Sequence, residues 1–348
     1  MTPANAERRE KFPLEKPDLP RHCRWRKKAQ RGLFFARLLW CNPRNAIDRE
    51  RWRMPLVNDM PVFRRWKRRL RKLRNRIARR AFATRYGREL LIQCVSPRVL
   101  TMTADCGDHV MTFSPHDYIG RKIYRKGQFE RDHVVRLLAA LAEREIALTG
   151  ALLEIGGNIG TQTLYFALGS AVPHIVTIEA DPRNYALLRQ NIDQNGLRER
   201  ITAIACAAGE TTGTIDFFQH PDNHGKSSTT RQSPRDRQIT VPVRPVMDIL
   251  SDAGIAAGDV SLIFMDIEGY EPVAARSMIP LLERRTPFYL EFSPVFYGRS
   301  EALAFARWLG AFYSRCIVFT ETGMTEMALA DIPLDEDQFD LLLLPDAL

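Results

Sequence analysis

From residue 151 onward, short apolar runs alternate with stretches in which apolar residues recur every three or four positions. The short runs are typical of strands buried on both faces of a parallel sheet, and the longer spacing is that of amphipathic helices. This alternation predicts an α/β fold with a mostly parallel seven-stranded sheet and helices on both faces. The apolar runs are ALLEI, HIVTIE, ITAIAC, VSLIFMDI, PFYLEF, CIVFT and FDLLLL.

A second helical pattern lies far upstream, near residues 62–82. Lys and Arg fill most positions between its apolar members, so the pattern predicts an amphipathic helix with one apolar and one basic face. The apolar members are Phe63, Trp66, Leu70, Leu73, Ile77 and Ala81.

Three regions follow from these patterns. Residues 1–90 form a basic N-terminal extension, partly disordered before the helix because it is rich in Pro and Arg with little periodicity. Residues 91–150 form a pre-domain of short strands and a helix over Phe129–Leu141. Residues 151–348 form the main domain, whose polar loop Gln219–Gln238 contains no aliphatic or aromatic residue. A polar loop of this length is usually functional or disordered.

Charge is distributed very unevenly along the chain. Residues 1–90 hold 28 of the 51 basic residues but 8 of the 41 acidic ones, so the remaining residues are net acidic although the whole chain is +10. A basic arm on an acidic body favours phosphate-bearing surfaces, either anionic lipid or nucleic acid. Three interpretations of the helix near residues 62–82 stay open: packing on the main domain, contact with an anionic membrane, and nucleic-acid binding.

Other sequence features indicate a cytoplasmic protein. No apolar run approaches the roughly 20 residues that span a bilayer, and no secretory signal is recognisable. The six cysteines are scattered without a CxxC pair, which indicates reduced thiols and predicts no metal site. We expect a cytoplasmic location, with peripheral contact at the inner face of a membrane as an option.

The stretch LLEIGGNIGTQTLYFA, residues 152–167, has the position of a nucleotide-binding turn after the first strand of the main domain. A dinucleotide fingerprint needs G-x-G-x-x-G, and counting from Gly156 the next two glycines fall on Asn158 and Thr161. The stretch is therefore not a dinucleotide turn.

What the stretch does contain is E-x-G-x-x-x-G, formed by Glu154, Gly156 and Gly160. This resembles the first motif of S-adenosylmethionine-dependent methyltransferases. A carboxylate helps to hold the cationic end of that ligand, glycines let the backbone approach it, and the next helix N-terminus can accept its carboxylate. A plain tight turn with a capping glutamate is the alternative.

The second strand ends in Glu179, one strand–helix–strand unit after the first motif. A carboxylate at the carboxyl end of this strand is placed to accept both ribose hydroxyls of an adenosine ligand. Asp181 and Asn184 are better explained as caps of the following helix. A third element, VSLIFMDIEGYE, puts Asp266 and Glu268 at the end of another strand, on the edge where open α/β sheets bind ligands.

Together these motifs resemble the FkbM family of S-adenosylmethionine-dependent methyltransferases. The resemblance covers Leu152–Pro294, from EIGGNIGTQTLYFA through IEADPRN and FMDIEGYE to FYLEFSP, and HDYIGRKIYRKGQFE resembles the pre-domain element. It implies a Rossmann-like methyltransferase fold and O-methylation of a hydroxyl on a sugar, glycolipid or other small metabolite. The residues that would hold the cofactor are Glu154, Gly156, Asn158, Gly160 and Glu179, and those that would face the transferred methyl are Asp266 and Glu268.

Methyl transfer to an alcohol needs a general base. Asp266 and Glu268 are the candidates, because close like charges can raise one carboxylate's pKa. His220 and His224 of the polar loop are alternatives if that loop closes as a lid, and Glu268 has the alternative role of a helix cap. The family's common lysine two residues before the aspartate is replaced by Phe264.

Two other functions compete with this interpretation. The first is an RNA ribose 2′-O-methyltransferase that binds nucleic acid through the basic arm. The chain lacks the D/N-P-P-Y/F and Pro-Cys motifs of base methylation, which leaves the ribose as the target, but Phe264 stands where the obvious lysine would be. The second is a non-catalytic protein that binds an adenosine ligand at a membrane surface. Failure to bind S-adenosylmethionine would exclude both enzyme functions.

Overall fold

A computed structural model of the chain describes residues 61–320 and 323–345. The predicted irregular segment, residues 1–60, lies outside these ranges. Residues 65–348 group into one unit. Among the described helices, none is both long enough and apolar enough to cross a membrane.

Ten helices and thirteen strands are found in the described residues, besides short 3₁₀ turns. The helices are α1 (Pro61–Ala83), α2 (Arg85–Gln93), α3 (Tyr118–Lys126), α4 (Arg131–Glu143), α5 (Thr161–Gly169), α6 (Pro182–Gln194), α7 (Val246–Asp252), α8 (Glu271–Arg276), α9 (Ile279–Glu283) and α10 (Pro294–Leu309). The strands are β1 (Met102–Asp105), β2 (Val110–Phe113), β3 (Ala151–Ile155), β4 (Ile175–Glu179), β5 (Ile201–Ala205), β6 (Ala207–Ala208), β7 (Gly213–Gln219), β8 (Arg237–Arg244), β9 (Val260–Met265), β10 (Phe288–Phe292), β11 (Arg315–Thr320), β12 (Gly323–Ala328) and β13 (Phe339–Leu344).

The central sheet has eight strands in the order β12-β11-β13-β10-β9-β3-β4-β5. The pairs from β5 to β10 are parallel, whereas β13 runs antiparallel to both β10 and β11. The predicted α/β fold with a mostly parallel sheet is confirmed, and all seven predicted apolar runs are strands of this sheet. The eighth strand, β12, pairs antiparallel with β11 at the sheet edge. Because β12 is mostly exposed, it has no apolar run from which it could be predicted.

Side chains alternate between two apolar cores, one on each face of the sheet. On β3, Leu153 and Ile155 enter the core under α7–α10, while Leu152 enters the core under α3–α6. Strand alternation therefore also directs Glu154 toward the face that α5 covers. Helices on both faces explain why the central strands are apolar throughout.

Two smaller sheets flank the central one. Strands β6, β8 and β7 form a three-stranded sheet beside β5, and β1 and β2 form an antiparallel hairpin. The hairpin is fastened to α6 through Asn191, which is fully buried. The Asn191 side chain accepts from the Thr112 N–H at 2.7 Å and donates to the Thr112 carbonyl at 3.0 Å and the Ile159 carbonyl at 2.7 Å. One amide thus joins the pre-domain hairpin, α6 and the turn that follows β3.

Helix α1 contains the apolar and basic pattern of residues 62–82, and its apolar side chains are exposed. Leu70, Leu73 and Ile77 are 44%, 51% and 60% accessible. The interpretation in which this stripe packs on the main domain is therefore wrong, because a packed stripe would be shielded from solvent. The four described cysteines, at positions 94, 106, 206 and 316, are free thiols.

We predict that Asn191→Ala lowers the free energy of unfolding by about 2–4 kcal/mol, because it leaves buried backbone groups of the hairpin without partners. Urea denaturation monitored by circular dichroism measures the change. Arg189→Ala, on the exposed face of the same helix, is the matched control and should change stability by less than about 0.5 kcal/mol. Equal stability of the two variants would contradict the bridging role of Asn191.

Candidate functional site

A cavity of about 580 Å³ opens at the carboxyl ends of β3, β4, β9 and β10. Its second wall comes from the start of α3, the segment before α4 and the polar loop between β7 and β8. Five of the seven predicted site residues line this cavity: Gly156, Asn158, Glu179, Asp266 and Glu268. The cavity lies on the sheet edge where open α/β folds bind ligands, and its volume suits a ligand of nucleoside size.

The turn after β3 requires glycine for two reasons. Gly156 has a φ of +99°, and a Cβ on it would lie 1.8 Å from the Asp266 carbonyl oxygen. Gly160, with a φ of +91°, begins α5 without any side-chain cap. Gly160 does not line the cavity, so its contribution is the backbone geometry that aims α5 at the site.

Asn158 and Glu179 are joined directly. Asn158 has a left-handed φ of +48°, and its N–H donates to Glu179 Oε2 at 2.7 Å. Glu179 Oε1 accepts from the Asp181 N–H at 2.7 Å. The carboxylate is therefore fixed by two backbone bonds, and burial followed by the charge of Asp181 raises the pKa of Glu179 to about 8.

Glu154 is not part of the cavity wall. It is fully buried behind the turn, where its Oε2 accepts from the Thr163 hydroxyl of α5 at 2.5 Å. Burial raises the pKa of Glu154 to about 7. The structure thus gives this predicted cofactor ligand a different position: it fastens α5 to β3 and reaches the site only through that helix.

Asp266 and Glu268 follow β9 on a tight turn. The Asp266 N–H donates to the Ile155 carbonyl at 2.9 Å, which ties this turn to the end of β3. Glu268 has a left-handed φ of +56°. The turn is held by Glu271, whose Oε1 accepts from the Gly269 N–H at 3.1 Å. Glu271, rather than Glu268, is the buried carboxylate that binds backbone here, so Glu268 is left facing the cavity.

The polar loop forms part of the cavity wall. Its two histidines differ: His220 Nδ1 accepts backbone N–H bonds from Asp222 at 3.2 Å and Asn223 at 3.1 Å, which fixes it as a turn residue. His224 is held through its backbone N–H, which donates to Asp117 at 2.7 Å, while its Nδ1 is buried without a hydrogen bond. Burial lowers the pKa of His224.

Phe264 belongs to the core. Its ring stacks on Tyr289 with centroids 4.9 Å apart and meets the edge of Phe166 at 5.2 Å. The position where the family commonly has lysine therefore contributes packing here and no charge to the cavity.

Residues 154–309 match the family model described as the Methyltransferase FkbM domain. This segment is an FkbM methyltransferase domain. The match begins at Glu154, includes every other predicted site residue and ends at the last residue of α10. The predicted family is thereby confirmed for the main domain.

Solved structures with partial similarity to this chain include the following three, two of which are named as methyltransferases. The structure of cofactor-bound Rv0187 from MTB has 19% identity and a TM-score of 0.36, with 64% of this chain and 84% of that chain covered. Methyltransferase FkbM from Methylobacillus flagellatus KT has 18% identity and a TM-score of 0.37, covering 65% and 55%. The SAM-dependent methyltransferase from Agrobacterium tumefaciens has 12% identity and a TM-score of 0.39, covering 71% and 70%. Comparison with curated proteins gave no match.

The FkbM domain and its pre-domain concentrate carboxyl groups in the cavity beyond the two predicted ones. Burial, with the charge of Asp266 second, raises the pKa of both Glu130 and Glu268 to about 8. Burial also raises the pKa of Asp266 to about 6 and that of Glu291 well above its usual range. We call Glu130, Asp266, Glu268 and Glu291 the carboxyl cluster; at neutral pH its members cannot all be ionised together.

Three residues that line the cavity, Asn184, Glu291 and Glu130, were not predicted from the sequence as site residues. Asn184, predicted as a helix cap, instead lines the cavity and donates to the His224 carbonyl at 3.4 Å, while Asp181 does cap α6 as predicted. Glu291 lies one residue before the end of the apolar strand β10, much as Glu179 lies at the end of β4, and that similar position was a usable signal. Glu130 lies before a helix of the pre-domain and has no comparable signal.

We predict that the ligand-free protein loses stability as pH rises, and that Glu268→Gln reduces this loss. Folding raises the pKa of Glu268 from 4.5 to about 8. The folded protein therefore binds the Glu268 proton more tightly than the unfolded chain does. This proton's contribution to the free energy of unfolding is fully present below pH 4.5 and is lost as pH rises through 8. Removing this group should make the fall in unfolding free energy between pH 5 and 9 smaller by roughly 1–3 kcal/mol.

Chemical denaturation at a series of pH values measures this effect. Glu143→Gln, an exposed change of the same kind on α4, is the control and should leave the pH dependence unaltered. An unchanged slope in Glu268→Gln would contradict the buried, protonated state of this side chain.

Proposed function

We propose that the FkbM domain transfers the methyl group of S-adenosylmethionine to a hydroxyl of a sugar, glycolipid or other small metabolite. The observation that carries the proposal is the cavity itself. It is lined by Glu179, a buried carboxyl group suited to a ribose. The same cavity is lined by Asp266 and Glu268, two carboxyl groups suited to an acceptor hydroxyl. Neither a phosphate-binding glycine pattern nor a metal is needed to account for these groups.

The fit to S-adenosylmethionine rests on polar atoms that lack partners within the protein. Asn158 Oδ1 and Asn184 Oδ1 are buried in the cavity wall without hydrogen bonds, and such atoms usually have a ligand or water as partner. Each Glu179 oxygen accepts one backbone bond and has a second acceptor position for a ribose hydroxyl. The close approach at Gly156 keeps that part of the wall free of side chains.

Charge supports the same ligand. S-adenosylmethionine has a sulfonium and an ammonium against one carboxylate, so its net charge is positive and complements the carboxyl cluster. Its carboxylate would be accepted by the N-terminus of α5, a nine-residue helix whose first two residues, Thr161 and Gln162, line the cavity. Glu154 serves indirectly here, by fixing Thr163 and therefore the direction of that helix.

S-adenosylmethionine, when bound, supplies an electrophilic methyl group attached to sulfur. The chain's own residues must then align the acceptor oxygen with that methyl and remove the hydroxyl proton. With a pKa of about 6, Asp266 is largely ionised at neutral pH and can accept the proton. With a pKa of about 8, Glu268 is largely protonated and can donate a hydrogen bond that orients the acceptor. The two neighbouring carboxyls thus take different roles because they ionise in different pH ranges.

His224 is the alternative base. Its buried, unpartnered Nδ1 and lowered pKa describe a neutral imidazole, whereas the Nδ1 of His220 is already occupied by backbone donors. We favour Asp266 because it lies at the end of a central strand, directly against the glycine turn. His224 belongs to a loop beside Asp181 and Arg183, nearer to the proposed ribose position.

We predict that Glu179→Gln weakens S-adenosylmethionine binding by about 10- to 100-fold, because an amide NH₂ replaces one of the two carboxyl oxygens that would bind the ribose hydroxyls. Isothermal titration calorimetry measures the affinity. Glu199→Gln, an exposed change of the same kind, should bind as the unaltered protein does. Absence of S-adenosylmethionine binding by the unaltered protein would overturn the proposed function as a whole.

We predict that Asp266→Asn lowers kcat by about 100-fold or more while S-adenosylmethionine affinity changes less than about threefold. Formation of S-adenosylhomocysteine is measured with a panel of hydroxyl acceptors that includes monosaccharides, glycolipids and phenols. In the unaltered enzyme kcat should rise with pH through about 6, since Asp266 must be ionised.

His224→Ala is the companion variant and should retain this pH dependence. If His224→Ala abolishes the pH dependence and Asp266→Asn preserves it, the base is His224. Equal loss of cofactor affinity in Asp266→Asn and Glu179→Gln would refute the division of roles between them.

A further inference from the structure

Among the described residues, those before the FkbM domain include a row of exposed apolar side chains. On α1 it consists of Leu70, Leu73 and Ile77, which recur every three or four residues and are exposed. These positions share one side of the helix. Exposed apolar side chains that are grouped on one side of a helix, rather than scattered singly, indicate an interaction site.

Further exposed apolar side chains lie on the next helix, α2. Tyr86 is 83% accessible, and Leu90 and Leu91 are also exposed. We call these side chains, together with the three on α1, the apolar stripe. The junction between the helices is built firmly: the Thr84 hydroxyl donates to the Ala81 carbonyl at 2.6 Å and accepts from the Gly87 N–H at 3.1 Å. Thr84 thus caps α2 directly after the end of α1.

Helix α2 is in turn fastened to α3, close to the cavity. Arg88 Nε and Nη2 donate to the Arg125 carbonyl at 3.2 and 3.1 Å, and Arg125 pairs with Glu89 at 2.5 Å. Helix α3 begins with Tyr118 and Ile119, which line the cavity. A partner bound at the stripe is thus connected to the cavity wall through three consecutive helices.

Charge identifies the partner. Helix α1 contains eleven basic residues and no acidic residue in 23 positions. A neutral apolar partner would bring no negative charge to this basic helix, and a basic partner would be repelled. An anionic surface with an apolar interior matches both the basic positions and the stripe, and that description fits a bilayer containing acidic lipids.

We propose that α1 and α2 bind the protein to the surface of an anionic membrane, with the apolar stripe at the boundary between headgroups and acyl chains. The basic side chains beside the stripe contact lipid phosphates. Nucleic acid could bind the basic side chains through its phosphates, but it has no apolar interior in which the six exposed aliphatic and aromatic side chains could be buried. In this arrangement α1 lies in the membrane plane, because its apolar and basic positions are on different sides of the helix.

The test is co-sedimentation of the full chain with vesicles of phosphatidylcholine, with and without phosphatidylglycerol. We expect binding to the anionic vesicles, weakened about tenfold or more when Leu70, Leu73 and Ile77 are all replaced by Ser, because the insertion of apolar surface is lost while the charge is unchanged. A second variant, Arg68→Gln with Arg71→Gln and Arg79→Gln, should weaken binding mainly at low salt.

The matched control replaces two exposed aliphatic residues elsewhere, Ile279→Ser and Leu303→Ser, and should bind as the unaltered chain does. Circular dichroism and the thermal midpoint verify that each variant is folded. The proposal fails if the full chain does not bind anionic vesicles, which is also the outcome if residues 1–60 occupy the stripe in solution. It fails as well if the Ser variant binds unchanged, or if the chain binds an RNA oligonucleotide in preference to vesicles.

Discussion

The site depends on the contact between the ends of β3 and β9. A Cβ at Gly156 would lie 1.8 Å from the Asp266 carbonyl oxygen, and the Asp266 N–H donates to the Ile155 carbonyl at 2.9 Å. This contact brings the glycine turn against the strand end that presents the acidic turn. Any side chain at Gly156 would push the two turns apart. The proposed cofactor and acceptor groups can therefore share one cavity only because residue 156 is a glycine.

Burial then gives chemically identical carboxyl groups different properties. Asp266 and Glu268 are two residues apart, yet their pKa values are raised to about 6 and about 8. At one pH, the more acidic of two adjacent carboxyl groups can be ionised and accept a proton, while the other is still protonated and can donate a hydrogen bond. The buried Glu154 and Glu271 are not part of the cavity wall: the first binds Thr163 of α5, and the second holds the turn that contains Glu268.

Much of the fold could be predicted from the chain because its signals are local. Strand and helix periodicities depend on residues a few positions apart, and they identified the seven apolar strands. The exposed strand β12 has no such periodicity and was missed. Among site residues, Glu179, Asp266 and Glu268 could be found because each lies at a strand end. The remaining cavity residues could not be found in this way, because contacts between distant parts of the chain bring them to the cavity. They are Glu130 before α4, Asn184 on α6 and His224 in the polar loop.

The sequence by itself determined the sheet, the glycine turn, the strand-end carboxylates and the amphipathic pattern of α1. Only the tertiary structure decided that Glu154 faces α5 rather than the cavity, that Asn184 lines it, and that the stripe on α1 is exposed. The physical reason is that a pattern specifies which face of an element is apolar or charged. What that face meets is set by the packing of elements distant in sequence, and burial and pKa follow from that packing.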